Sequence, residues 1–248
     1  MTVNSIINIL LVAILIICAW QGYKKGIILG IIDVLVIILS LYGAQLLSDT
    51  FSYEVIPVLK PFVSGYMEAK VEENTYLAFG YEADPLTGRF DTPYSATDLL
   101  VSQPEMRQTV IANTYKGLGF YDAMTETLTN RTMEYAQDNN ASIASSVVTI
   151  SCQTVTWYGG FLLAFIILFA VLSVIVNLPN LSFKIPYVGI VNDIGGVLIG
   201  LFVGALFCSA VVWVFQFAGL VLPEQTLRAT GLAAFFLDKN MLANYITL

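Results

Sequence analysis

The sequence predicts an all-α membrane protein of about four transmembrane helices, with a mostly helical extramembrane domain inserted between helices 2 and 3. Three observations carry this. Hydrophobic residues make up 57% of the 248 and charged residues only 12%, where a soluble domain carries roughly 25% charged. The apolar residues are gathered into long blocks rather than spread at core spacing. Fourteen of the eighteen carboxylates fall between two of those blocks, from Asp49 to Asp138.

A spanning helix needs about 20 mostly apolar residues, because the hydrocarbon core is about 30 Å thick and a helix rises about 1.5 Å per residue. The first block, 6–20, reaches that length only when flanking residues are counted. Its basic residues follow the apolar run instead of preceding it, and no small-x-small site comes after, so it reads as a retained helix and not a cleaved signal peptide. The second block, 27–47, contains Asp33. A central Asp costs about 2.5–3.5 kcal/mol and each Leu, Ile or Val returns roughly 0.3–0.6, so the apolar term wins.

The third block, 157–176, carries no charge and opens on Trp157 and Tyr158, rings suited to headgroup depth. The fourth, 194–222, is also uncharged and is too long to lie straight across an average core, so it tilts or begins in the interface. Pro179, Pro186 and Gly189 mark a turn-rich loop between these two blocks. The segment 223–248 reads as an interfacial amphipathic tail, with Leu227, Leu232, Phe235, Phe236 and Leu242 on its apolar side.

The acidic segment, 48–156, carries local structure signals. A capped amphipathic helix is predicted over 94–116, with Ser95 three residues before Asp98 as a capping box and a break at Pro104. A second helix is predicted over 121–137, and Asp84-Pro85-Leu86-Thr87-Gly88 has the chemistry of a turn. Lys24, Lys25 and Lys184 lie in the short connections between blocks. The positive-inside rule makes those connections cytoplasmic, which places both termini and the acidic domain outside.

Composition removes several function classes. A net charge of −7 lacks the clustered positive surface that nucleic acid requires. The absence of histidine removes the commonest general base and metal ligand. Cys18, Cys152 and Cys208 are too widely spaced for a metal clip or a disulfide framework. Glu72-Glu73 is only a pair, with no calcium-loop pattern around it. The expectation is a chain with no catalytic residues, metal or cofactor, whose partners are the lipid bilayer and either further copies of itself or another membrane protein.

Two glycine runs suggest how the helices meet. Gly22, Gly26 and Gly30 are spaced by four, as are Gly196, Gly200 and Gly204. Glycines four apart on a helix form one flat face that lets two backbones approach closely. Packing within the chain is the simplest use of these faces, and mating between chains is the alternative. Asp33 lies seven residues past Gly26, on the same helix face, with no acidic or basic partner in another block. An intramembrane carboxyl is a candidate proton or ion site; a neutral, hydrogen-bonded or interfacial Asp is the plainer reading.

The run Gly22-Tyr23-Lys24-Lys25-Gly26-Ile27, leading from a short first helix into a second, resembles the opening of the colicin V production (CvpA) family of bacterial inner-membrane proteins. The block from Asn192 to Gly204, a polar turn followed by a glycine-rich helix, is similar to that family's second signature. The chain departs from the pattern at Gly30 and Asp33, where an acidic residue follows sooner in the family, and at Phe202 or Val203, where a basic residue is common. The resemblance implies a multi-pass protein of the cell (inner) membrane, without enzymatic activity, that supports toxin (bacteriocin) production or export and envelope processes. A small-solute channel or transporter, its pathway lined by the glycine faces and Asp33, is the alternative expectation.

Overall fold

The computed structural model describes residues 3–177, 189–217, 219 and 222–239. Among these the chain is helical apart from turns and one isolated antiparallel bridge, Ala83 to Phe90. Eight helices follow in order: α1 (Val3–Ala78), α2 (Ala96–Ser102), α3 (Met106–Gly117), α4 (Asp122–Asp138), α5 (Ile143–Asn177), α6 (Gly189–Phe215), α7 (Glu224–Arg228) and α8 (Gly231–Asp238). Among the described residues, three stretches are long and apolar enough to cross a membrane: Val3–Ser52, Ile143–Val176 and Gly189–Phe215. The chain divides into two compact units, one of 1–50, 158–216 and 222–248, the other of 51–157 and 217–221.

The apolar unit is organised by a break in α1. Gly26 has φ 76° and ψ −177°, outside the helical region, so 3–25 and 27–52 are two arms. Neighbours on α6 fix their directions. In the first arm, Gly22 meets Gly196, Cys18 meets Gly200 and Leu15 meets Gly204, so one number falls as the other rises. In the second arm, Ile27 meets Gly195 and Gly30 meets Ile199, and both numbers rise together. The arms therefore run in opposite directions along α6.

Helix α5 completes the set. Trp213 of α6 lies edge-on to Tyr158 and Phe161, with ring centroids 4.8 and 5.9 Å away, and Phe207 is edge-on to Phe169 at 5.4 Å. This register is antiparallel, as is that of α5 with the second arm, where Gly43 faces Leu168 and Ser48 faces Gly160. The four consecutive helical segments thus alternate in direction. After α6, Leu227 and Ala233 are fully buried in α7 and α8, and Arg228 bridges Glu224 at 2.7 Å and Asp238 at 3.1 Å.

The core of the second unit is apolar, with Val110, Ile111, Leu128, Val147 and Val148 essentially inaccessible, and several buried hydroxyls are satisfied inside it. Tyr115 is completely buried and its hydroxyl lies 2.6 Å from Thr132 Oγ1, joining α3 to α4. Thr75, Thr114 and Thr129, also buried, each donate to the carbonyl four residues back and so satisfy themselves within their own helix. The sequence expectations for this segment match closely. Ser95 caps α2 by accepting from Asp98 N–H at 3.1 Å, and Pro104 sits between α2 and α3. Asp84 closes the predicted turn by accepting from Leu86 N–H at 2.7 Å.

Other boundaries differ. Helix α1 continues through 53–78, a stretch for which no helix was predicted and whose two prolines argue against one. Pro57 and Pro61 lie inside it, each removing a helical hydrogen bond. Tertiary contacts override the local preference: Val71 and Thr75 are buried, and Lys60 Nζ donates to Thr149 Oγ1 of α5 at 3.0 Å. Helix α6 runs from Gly189 to Phe215 rather than over 194–222, with Gln216 in a turn. Lys184 and most of the predicted loop lie outside the described residues, as does the end of the 223–248 tail.

Candidate functional site

Gly22, Gly26, Gly196, Lys25 and Asp33, all singled out by the sequence, gather at the break in α1. Gly26 is required there twice over. Its positive φ is accessible to glycine at little cost, and a Cβ would fall inside the Asn192 side chain. The same Asn192 turns its Oδ1 to the backbone N–H of Ile27 at 3.0 Å. Ile27 starts the second arm, so its N–H has no carbonyl four residues back to bond. Asn192, borrowed from α6, supplies the missing acceptor as an N-cap does.

All six glycines meet at one interface. Gly196, Gly200 and Gly204 are buried on α6, and a Cβ on Gly196 would fall inside the backbone of Gly22. Gly200 presses on the carbonyl of Cys18, while Gly204 faces the Cys18 and Leu15 side chains. On the other side, Ile27 fills the space over Gly195 and Ile199 the space over Gly30. Because Gly26 is not helical, Gly22 and Gly30 belong to different arms, and the expected single stripe of one helix is corrected: it is two half-stripes that clasp α6 from both arms.

Asp33 is not without a partner. Lys25 Nζ approaches Asp33 Oδ2 at 2.6 Å, reaching from the last residue of the first arm to the second turn of the second. The two side chains are 27% and 26% exposed. The partner comes from the break itself, whereas the sequence expectation concerned only the other blocks. Sequence spacing alone hides this, since eight residues along an unbroken helix lie about 12 Å apart and a reversal brings them together.

Aromatic and cationic side chains surround the break. Lys24 Nζ stands 5.1 Å over the Trp20 ring, and Trp20 stacks with Tyr23 at 6.1 Å. Trp20 and Tyr23 are both exposed. Further down the interface, Cys208 points its thiol at Leu11 O, 3.6 Å away. Among the described residues no group of three or more His, Cys, Asp or Glu is placed to hold a metal ion. Close backbone packing, one ion pair and one cross-helix cap are what this site supplies. Compared with protein-family models, curated proteins and solved structures, the chain has no match.

Proposed function

We propose that the chain is a multi-pass membrane protein of the cell membrane that crosses the bilayer four times and works without enzymatic chemistry, supporting toxin (bacteriocin) production or export and envelope processes. The observation that carries the reading is the meeting of two distant motifs: Gly22 to Ile27 and Asn192 to Gly204, on which the resemblance to colicin V production proteins rests, pack against one another through the Asn192 cap and the glycine contacts.

The four-crossing reading is supported by the alternating directions of the four segments and by their surfaces. Leu39, Leu163 and Ile167 are 58%, 64% and 61% exposed, on helices with almost no charge. Aliphatic surface of that extent belongs against lipid rather than water. Trp20, Tyr23, Lys24 and Lys25 at the break suit a cytoplasmic interface, which leaves both termini and the 48–156 domain extracytoplasmic. Reporter fusions at the termini, at the break and within 48–156 test this: an active extracytoplasmic reporter at the break, or an inactive one within 48–156, would refute the layout. Loss of toxin secretion on deletion in a producing host, restored by the wild-type chain, tests the role.

The partly exposed Lys25–Asp33 pair favours one second reading, a small-solute pathway beside the glycine interface. Solute flux through proteoliposomes would then change in Asp33→Asn; flux equal to wild type in a working assay removes this alternative.

A further inference from the structure

The second unit contains a cavity of about 760 Å³ bordered by α1, α2, α3, α4 and the start of α5. That volume lies within the roughly 300–1,000 Å³ usual for small-ligand sites. Its base is apolar: Val71, Leu100 and Ile143 line it and are themselves buried, with Met133 beside them. Glu68, Glu72 and Arg107 also line it, and all three keep some exposure.

The charged groups are held in place. Arg107 donates from Nε to Leu100 O at 2.8 Å, which fixes the guanidinium, and among the described residues its two terminal nitrogens have no acceptor. It makes no ion pair among the described residues, although it stands in an acidic segment. Glu72 Oε1 accepts from the Tyr76 hydroxyl at 3.0 Å, so one carboxylate oxygen is oriented and the other remains open. Glu68, one turn earlier on α1, adds a second negative charge. Gln137 and Asn140 contribute amides to the same lining.

From this arrangement we infer that the cavity binds a short apolar peptide with free ends, its carboxylate on Arg107, its ammonium on Glu68 and Glu72, and its side chains over Val71, Leu100 and Ile143. An arginine not occupied by a protein carboxylate is suited to a ligand carboxylate because its planar fork matches two oxygens at once. A purely cationic ligand would leave Arg107 unused, and a purely anionic one would face Glu68 and Glu72. The Gln137 and Asn140 amides both donate and accept, as backbone amides between the two ends require. A zwitterionic phospholipid headgroup shares the two charges but offers neither peptide amides nor side chains to the apolar base. The inference is independent of the toxin-related role and of the number of membrane crossings.

The probe is trileucine, titrated calorimetrically into the full chain in mild detergent, alongside its N-acetylated and C-amidated forms and phosphoethanolamine. Trileucine with free ends should bind saturably with a dissociation constant below a millimolar, and each cap should weaken it by roughly tenfold or more, the loss expected for one charge-assisted contact. Arg107→Gln should weaken trileucine but leave the amidated peptide unchanged. Glu72→Gln should weaken trileucine but leave the acetylated peptide unchanged, and Arg107→Lys should retain part of the binding. No saturable binding, equal binding of capped and free peptides, or tighter binding of phosphoethanolamine overturns the proposal. The capped-peptide comparison uses only the wild-type chain and decides the matter even where a variant fails to fold.

Discussion

Asn192 Oδ1 accepts the backbone N–H of Ile27 at 3.0 Å across a separation of 165 residues, and so caps a helix in which it does not lie. The second arm of α1 begins where it does because an acceptor from α6 waits for its first free N–H. Asn192→Ala should therefore destabilise the apolar unit by about 0.5–2 kcal/mol, the usual worth of an N-cap. Asn192→Asp, which keeps an acceptor, should recover most of it. Denaturation in mixed micelles reads both, and an Asn192→Ala curve superimposed on wild type would contradict the capping role.

The glycines should respond with opposite signs according to what surrounds them. Gly196→Ala and Gly200→Ala place a Cβ inside the facing backbone, so the helices must separate, and overpacking of this kind costs about 1–3 kcal/mol. Gly26→Ala adds the strain of a backbone region that is almost exclusive to glycine (φ 76°, ψ −177°), about 1–3 kcal/mol, to a collision with Asn192. Gly65→Ala, within α1 where nothing lies within 4 Å, should instead stabilise by roughly 0.5–1 kcal/mol. Equal effects at Gly65 and Gly196 would show that helix propensity, not close approach, governs both.

Lys25 and Asp33 should behave as one unit. Removing either partner leaves the other charge half-buried, at a cost below the about 3–5 kcal/mol of a fully buried pair because each side chain keeps about a quarter of its exposure. Lys25→Met combined with Asp33→Leu should be milder than the sum of the two single changes, since no charge is then left alone. A double-mutant cycle in detergent measures the coupling, and strictly additive losses would mean that the 2.6 Å contact carries no energy.

Tyr115 should ionise late. Burial pushes its phenol up to about 12 from an ordinary value of 10.0. The folded unit favours the neutral form, so the stability tied to this group is complete below pH 10 and is lost as the pH rises through 12. Ultraviolet titration of phenolate absorbance, compared between wild type and Tyr115→Phe, isolates it; a Tyr115 signal appearing with the exposed tyrosines would be the contrary result. Tyr115→Phe also removes the partner of Thr132 Oγ1, a buried loss worth about 1–3 kcal/mol.

Asp84 gives the reverse pH dependence. Hydrogen bonds from Leu86 N–H and Thr87 N–H hold its carboxyl below the ordinary 3.8. Its turn is therefore at full strength above that value and weakens as the pH falls through the depressed one. Amide exchange at Leu86, followed against pH, should quicken on acidification in wild type and not in Asp84→Asn, beyond the intrinsic pH effect common to both. Identical profiles would leave the carboxylate without a role in the turn.

Elements whose signals are local were legible in the sequence. The apolar character of the blocks, the Ser95 cap, the Pro104 break and the Asp84 turn each depend on residues within a few positions of one another, and the structure has them. The bounds of the apolar helices differ, however, and the first two blocks form one long stretch broken at Gly26. The helix over 53–78 was not legible, because Pro57 and Pro61 argue against it and the contacts that override them, such as Lys60 with Thr149, come from far along the chain. The cavity was invisible for a similar reason: Glu72, Arg107 and Ile143 reach one place only after five helices have assembled.

The amino-acid order by itself determined which stretches avoid water and which glycines can allow close approach, because hydrophobicity and missing side chains are properties of single residues. Only the tertiary structure decided that the turn falls at Gly26, that both glycine-bearing arms clasp α6, that Asn192 completes the second arm and that Asp33 is held by Lys25. A four-residue spacing looks the same whether the helix continues or turns back, and it was the basic connection at Lys24 and Lys25 that marked the turn in the sequence; α6 offers a surface to both arms and an acceptor at the point where they part.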